Sequence, residues 1–370
     1  MKIDAAVVRE ESGPFEIETV ELEEPRAGEV RVRVVGAGIC HTDLSVRDQL
    51  LPTPLPAVLG HEGAGVVEAV GEDVTKVEPG DHVVLTFTYD DACEQCRDGQ
   101  VALCENVMEM NFGGQRLSDG STPLRDEDGE ELSGMFFGQS SFATHAIATE
   151  ENAVPVDDDV PLAMLGPLGC GIQTGAGGVI NVLDPQAGAS IVVFGAGSVG
   201  LSGVMAADVK GCTDIVAVDP LAPRRETARD LGATHAIDPT AVEDVEGAIR
   251  DHLGGGAEYT LETAGVAQVL RQAVDCLGHG GTCGVIGAPP MGTEVGLDVN
   301  DMLLGRTVTG ITEGNANPDL FIPDLIDLYR RGKFPFDELV TFYDFDEIER
   351  AVADQEAGEV IKPVLRVGEP

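Results

Sequence analysis

The sequence predicts an α/β chain made of a β-rich domain and a Rossmann-type, doubly wound nucleotide-binding domain, and three observations carry the expectation. A β-branched run, Ile191 to Phe194, enters Gly195-Ala196-Gly197-Ser198-Val199-Gly200, and a second apolar run, Ile215 to Val218, ends at Asp219. From about Ile172 to Thr312 strand-like and helix-like stretches alternate, which is the pattern of a mostly parallel sheet covered on both faces. Before that region the chain reads as short alternating strands separated by Gly, Pro and acidic turns.

The glycine stretch has a physical job at each position. Gly195 allows the tight turn, Gly197 lets the backbone approach a pyrophosphate, and Gly200 lets helix and strand pack closely. The helix opening at Ser198 and Val199 offers free N–H groups to phosphate. A carboxylate at the end of the next strand, Asp219, accepts the hydroxyls of an unphosphorylated adenosine ribose and repels a 2'-phosphate. NAD is therefore expected; Arg224, five residues on, leaves NADP possible by offering a cation near the adenosine.

In chain order, the strand runs are Ile3 to Arg9, Glu16 to Val20, Glu29 to Gly36, Gly63 to Val70 and His82 to Phe87, with a turn at Glu78-Pro79-Gly80-Asp81. The alternating region then gives strands at Ile191 to Phe194, Ile215 to Val218, Tyr259 to Glu262 and Gly281 to Ile286. Its helices are read at Val199 to Val209, Pro223 to Leu231 and Val266 to Cys276. Phe321 to Arg331 is helical by spacing, Leu339 to Phe342 a strand, Phe345 to Gln355 a helix and Gly358 to Val367 a final strand. These readings divide the chain into a catalytic domain over 1–172, a nucleotide-binding domain over 173–312, and a return to the first domain over 313–370.

The chain has 370 residues, enough for two cores, and no run approaches the length of a membrane span. Met1-Lys2-Ile3-Asp4 lacks the basic and apolar regions of a signal peptide, so a cytoplasmic location is expected. Charge is the unusual bulk property: 65 acids against 23 bases, formally −42. Asp126 to Glu131 and Asp157-Asp158-Asp159 concentrate it. Such a surface repels itself in dilute buffer and is screened at molar salt, which points to a salt-rich cytoplasm. With no basic stripe, nucleic acid is not an expected partner, and neither is a membrane.

The eight cysteines are three close together (Cys93, Cys96, Cys104) and five scattered. That distribution suggests metal chemistry rather than an extracellular disulfide framework. Cys212, Cys276 and Cys283 read as small buried filler. Cys40, His61 and Cys170 form a Cys-His-Cys set suited to a catalytic zinc with one open position. Spacing alone does not prove the set; its contexts sharpen it, with Cys40 before His41-Thr42-Asp43, His61 in Gly60-His61-Glu62-Gly63, and Cys170 between glycines.

On these residues the sequence resembles the zinc-dependent medium-chain alcohol dehydrogenases, most closely the aryl-alcohol branch. The signature runs through Gly60-His61-Glu62, Gly65, Gly71 and Val74, and the resemblance covers nearly the whole chain. It implies that the first domain is GroES-like, that Cys40, His61 and Cys170 ligate catalytic zinc, and that Glu62 lies behind the metal as a transient ligand. Asp43 matches the carboxylate that orients the ligand histidine, and Thr42 the hydroxyl that takes the alcohol proton. Family members with a complete relay have a histidine three residues later; here Ser45 stands there, leaving water or Arg47 to carry the proton onward.

The same resemblance implies a structural zinc at Asp90, Cys93, Cys96 and Cys104, with aspartate in place of the first cysteine. His41 matches a position near the cofactor phosphates, Thr174 one against the nicotinamide, and Val285-Ile286-Gly287 the strand end that holds its carboxamide. Lys362 matches an arginine position near the pyrophosphate. Thr86, Phe87, Phe136 and Phe137, with Phe142 behind, match the substrate pocket and favour apolar or aryl groups. The expected activity is reversible oxidation of a primary, aryl or apolar alcohol to its aldehyde, hydride passing to NAD. The alternatives are a polyol or sugar dehydrogenase and, outside enzymes, a nucleotide-binding structural protein. The expected partners are a small-molecule alcohol or aldehyde and further copies of the chain, as a homodimer or homotetramer.

Overall fold

A computed structural model describes residues 1–368 of the chain. It falls into two compact units, one of residues 1–170, 317–324 and 339–370, the other of residues 171–316 and 325–338. The C-terminal segment thus does not return to the first unit as one piece. Leu325, Ile326, Phe334 and Phe336 are all nearly inaccessible, and 325–338 clusters with the nucleotide-binding fold. Helical spacing located an apolar face there without saying which core it enters.

Among the described residues the first unit holds a five-stranded and a seven-stranded sheet. The long strand Glu29–Gly38 shows why: Val30, Val32 and Val34 are fully buried while Arg31 and Arg33 turn outward, the period of two that a half-covered strand requires. It pairs antiparallel with Glu62–Val70 and with the C-terminal strand Lys362–Arg366. Those pairings set Cys40 and His61, at the ends of two neighbouring strands, side by side. A short helix, His41–Arg47, follows at once with Cys40 as its N-cap.

The second unit is a six-stranded parallel sheet in the order His235–Ile237, Asp214–Val218, Ser190–Phe194, Ala257–Glu262, Leu277–Val285, Thr307–Gly310. The order reverses between Ser190–Phe194 and Ala257–Glu262, so the carboxyl ends of these two central strands flank the crevice where such sheets take ligands. The glycine-loop helix Ser198–Lys210 starts from Gly197 and stops at Gly211, whose φ of +78° suits a residue without a side chain. The strand His235–Ile237 and the helix Val245–Leu253 were not foreseen, the first being only three residues long. No helix among the described residues is long and apolar enough to cross a membrane.

Candidate metal and nucleotide sites

The first site grows from one carboxylate. Asp43, on the opening turn of His41–Arg47, is fully buried; its Oδ2 accepts the Cys40 N–H at 2.8 Å, and its Oδ1 accepts the Gly60 N–H at 3.1 Å and His61 Nδ1–H at 2.7 Å. Holding the proton on Nδ1 turns the Nε2 lone pair the other way. That Nε2 is buried and has no hydrogen-bond partner among the described residues. An orphaned buried acceptor is costly unless something else fills its place. The ligand atoms of Cys40, His61, Glu62 and Cys170 all lie within 4.8 Å of one another. Hydrogen bonding from Cys170, helped by His61 and Lys362, holds the Cys40 thiol well below the usual range. Two soft thiolate donors and an unsatisfied imidazole fit zinc.

Around this set, Phe137 stacks on His61 with ring centroids 4.5 Å apart, and Phe136 meets it edge-on at 5.4 Å. Phe137 holds φ at +51°, a left-handed conformation rare for a bulky residue and typical of positions held for function. Gln139, which the sequence did not single out, bonds the His61 carbonyl at 3.0 Å and the Gly63 N–H at 3.0 Å, bracing both sides of the histidine. Thr42 lies with its hydroxyl 3.8 Å from the Cys40 sulfur.

Several expected roles need correction. Phe87 is buried beside Tyr89, ring centroids 6.1 Å apart, in the same core that holds Phe136 and Phe137. The Thr86 hydroxyl donates to the Gly169 carbonyl at 2.7 Å, so it anchors the backbone before Cys170. Lys362 lies buried, its Nζ 2.8 Å from both oxygens of Glu62 and 3.1 Å from the Ile39 carbonyl, and is no solvated phosphate-seeking cation. Burial works against that charge, but the Glu62 carboxylate more than offsets it and holds the ammonium well above its ordinary pKa. Arg47 cannot pass on a proton. Asp48 at 2.8 Å and Glu356 at 3.0 Å raise the pKa of a group that already ionises permanently.

The second cluster is Asp90, Cys93, Cys96 and Cys104, whose ligand atoms again lie within 4.8 Å of one another. Asp90 Oδ1 accepts the Ala92 and Cys93 N–H groups at 2.8 and 2.9 Å, and Asn106 donates to Oδ2 at 2.6 Å. These bonds, led by that from Cys93, hold the Asp90 carboxyl below its usual range. The amides of Glu105 and Cys96 do the same to the Cys93 thiol. A fixed, ionised carboxylate among three thiols is a four-donor set closed enough for a structural zinc.

In the nucleotide-binding unit, Gly195 has φ of +93°, and a Cβ on Gly200 would come within 1.8 Å of the Gly195 carbonyl oxygen. At Gly197, by contrast, a Cβ would meet nothing within 4 Å, so the loop is open on that side. The open face and the uncapped first turn at Ser198 and Val199 fit a pyrophosphate. Asp219 is buried and accepts the Ala196 N–H and the Leu221 N–H, each at 2.8 Å, which ties the acid to the loop. Arg225, missed in the sequence, donates to the Asp219 carbonyl at 2.7 Å and pairs with Asp238 at 2.9 Å; Arg224 has a buried Nε with no hydrogen-bond partner among the described residues. The Ile286 and Gly287 amides both donate to the Glu262 carbonyl, so a carboxamide there would have to use other backbone groups. Thr174 donates to Glu313 at 3.3 Å, and His41 is exposed at the start of its helix in the other unit.

A parallel sheet with a glycine loop at its switch point, together with a thiolate-imidazole metal set, defines a metal-dependent dehydrogenase. Residues 26–158 match the alcohol dehydrogenase GroES-like domain, and residues 198–330 the zinc-binding dehydrogenase family. The chain is 49% identical over 98% of its length to a geraniol dehydrogenase of Castellaniella defragrans, of which it covers 96%. Among solved structures it is similar to an alcohol dehydrogenase zinc-binding domain protein from Burkholderia ambifaria, with 52% identity, a TM-score of 0.97 and full coverage of both chains. It is equally similar in fold to the benzyl alcohol dehydrogenase of Acinetobacter calcoaceticus, with 47% identity, a TM-score of 0.96 and full coverage of both. The chain belongs to the zinc-dependent medium-chain alcohol dehydrogenase family, and is an enzyme of that class using zinc and a nicotinamide dinucleotide.

Proposed function

We propose that the enzyme oxidises an apolar primary alcohol, aryl or allylic, to its aldehyde with NAD, using Cys40, His61 and Cys170 as zinc ligands. The observation that carries the reading is the buried, partnerless Nε2 of His61 between two thiols and under the Phe136 and Phe137 rings. Zinc held there supplies Lewis acidity that lowers the pKa of an alcohol hydroxyl. Asp43 fixes the tautomer and direction of His61 and the backbone of Cys40. The Thr42 hydroxyl receives the alcohol proton, and solvent carries it onward, since Ser45 is a poor base and Arg47 is tied up. Asp219 orients the adenosine end of NAD, and the glycine loop holds the pyrophosphate.

The apolar preference is supported by an aromatic cluster that continues outward. Phe112 packs on Phe137 at 5.1 Å and also lines a hollow of about 610 Å³ with Pro52, Pro54 and Met108, alongside the polar Gln49, Glu109 and Gln115. The names of the geraniol and benzyl alcohol relatives agree with such a surface. An alcohol panel tests this: benzyl alcohol and geraniol should give NADH at far higher kcat/KM than sorbitol or glycerol. Efficient turnover of the polyols would overturn the apolar reading.

The Asp90 cluster is assigned a structural zinc. Purified enzyme should carry two zincs per chain by elemental analysis, and Asp90→Ala should lose one of them while the other stays. A single zinc in fully active wild type would reject the loop site.

A cytoplasmic enzyme of a salt-rich cell accounts for the acid excess. The melting temperature should rise by several degrees between roughly 0.1 M and 2 M KCl, because the Debye length falls from about 10 Å to below about 3 Å. A flat profile would remove the basis for the salt reading. The edge strand Thr307–Gly310, and the exposed apolar side chains of Met291, Val299 and Leu303 that precede it in the chain, support association of two copies through that edge. A homodimer, or a tetramer built from such dimers, would cover it.

A further inference from the structure

Two acids stand side by side where the parallel sheet meets the adenosine end of its cofactor site. In the neighbouring strands Asp214–Val218 and His235–Ile237, Val218 pairs with Ile237, so the next residues, Asp219 and Asp238, leave the two strands together. The Asp219 N–H donates to the Ile237 carbonyl at 3.2 Å, which carries the register one residue past the strand. Asp219 is the acid assigned to the ribose, whereas Asp238 carries no assigned role. Arg225 joins them: its Nη1 donates to the Asp219 carbonyl at 2.7 Å, and its Nη2 meets Asp238 Oδ2 at 2.9 Å. The other oxygen of Asp238 accepts the Thr240 hydroxyl at 2.6 Å and the Thr240 amide at 2.9 Å. These bonds, the hydroxyl's first, hold the Asp238 carboxyl below its usual range, so it is ionised at neutral pH.

The cations at this spot run against two expectations. Arg224 and Arg225 open the helix Ala222–Asp230, whose first turn contains no acid. That end of a helix carries the positive end of its dipole and favours anions, so two arginines there repel it and together draw negative charge. The chain has only 23 bases against 65 acids, which makes an adjacent pair of arginines a local exception. Two guanidinium groups beside the lone carboxylate of Asp219 would leave the ribose end of the site cationic, and forked arginine donors are the side chains that best grip a phosphate. With Asp238 added, the four groups are neutral together, and one of the two forks is already engaged.

We propose that Asp238 is a positioning residue for cofactor choice: by pairing with Arg225 it holds that guanidinium across the two strand ends and withholds it from a 2'-phosphate, which lets Asp219 select NAD. This rests on the assignment of the glycine loop and Asp219 to NAD. The two acids act differently. Asp219 repels the phosphate directly, whereas Asp238 removes a cation that would attract it. A 2'-phosphate could recruit Arg225 only by breaking the Asp238 pair, and that cost falls on NADP alone, because NAD has no charged group at the position. Thr240 fixes Asp238 in the orientation that faces Arg225.

The test isolates the adenosine end with two probes, 5'-AMP and 2',5'-ADP, which differ only in the 2'-phosphate. Each is titrated by calorimetry into the full-length zinc enzyme at one fixed salt concentration, and wild type should bind 5'-AMP more tightly. Asp238→Asn keeps an oxygen for the Thr240 hydroxyl and amide but removes the charge. Its affinity for 2',5'-ADP should rise roughly three- to tenfold while 5'-AMP stays within about twofold, the size expected for one partly screened charge. Arg225→Met should move the ratio the other way, because Asp238 then stands uncompensated beside the phosphate. A merely structural role would weaken both probes in proportion and leave the ratio alone. An unchanged ratio in Asp238→Asn, or a gain for 2',5'-ADP in Arg225→Met, would overturn the proposal and leave the NAD assignment standing. Wild type that binds neither probe, or prefers 2',5'-ADP, would remove the NAD assignment and this inference together.

Discussion

Cys40→Ala is expected to lose the zinc of the His61 site and to cut turnover by more than about a hundredfold, while NAD still binds. The substitution removes one of two thiolates and leaves the His61 Nε2 with its main metal-sharing partner gone. The glycine loop and Asp219 lie in the other compact unit, whose core does not include Cys40. Elemental analysis should therefore fall from two metals to one, with calorimetric NAD affinity within about threefold of wild type. Asp43→Asn makes the finer point. Its amide can still meet His61 Nδ1, but it lacks the charge that orders both His61 and the Cys40 amide, and zinc should dissociate roughly 10- to 100-fold more readily. Retention of full activity in a verified zinc-free Cys40→Ala enzyme would end the metal mechanism.

Asp219→Gly is expected to move the enzyme from NAD toward NADP. The carboxylate is the anionic neighbour of the ribose and also the acceptor for the Ala196 N–H, so its loss removes a ribose partner and loosens the loop together. NAD efficiency should fall by about 10- to 100-fold, the range of a hydrogen bond to a charged group. NADP efficiency should fall less or rise, because the repulsion toward a 2'-phosphate is gone. Arg224, whose buried Nε has no hydrogen-bond partner among the described residues, is the side chain placed to meet that phosphate; Arg225 is already held by the Asp219 carbonyl and Asp238. The readout is kcat/KM for each cofactor at one saturating alcohol and one salt concentration, since screening alters phosphate binding. Wild type preferring NADP at the outset would mean that Arg224, not Asp219, governs the pocket.

What could be read from the sequence divides along the range of the interactions involved. The glycine loop and Asp219 were legible because strand, turn, helix and acid fall within thirty-odd residues and each position has one steric or electrostatic reason. The Cys40, His61 and Cys170 set became legible through its neighbours, and the same carboxylate that marks the motif, Asp43, proves to hold two of the three. Pairings between distant segments were not legible. Lys362 lies 300 residues from Glu62, and no local pattern distinguishes a lysine on a surface from one sealed against a carboxylate. Arg225 rather than Arg224 reaches the Asp219 carbonyl because helix phase decides which of two adjacent arginines turns inward. The contact of Phe112 with the Phe136 and Phe137 rings escaped notice for a related reason: aromatic residues signal burial, and only the packing says beside which ring. The split of the segment after residue 324 was likewise invisible, since one apolar helix face suits either core.

The cysteine cluster near residue 93 has a consequence for handling the enzyme. Cys93 and Cys96 sulfurs are 3.4 Å apart, on a short helical turn that already faces them toward each other. While the assigned zinc occupies the loop both thiolates are engaged; once a chelator strips it, an oxidant can take two electrons and two protons from the pair and join the sulfurs. The resulting bridge would close the loop to re-entry of metal. Loss of zinc in air would then behave as an irreversible step, whereas the same loss under a reducing agent would remain reversible. Storage life would depend on redox conditions even though the proposed chemistry of alcohol oxidation involves no cysteine oxidation at all.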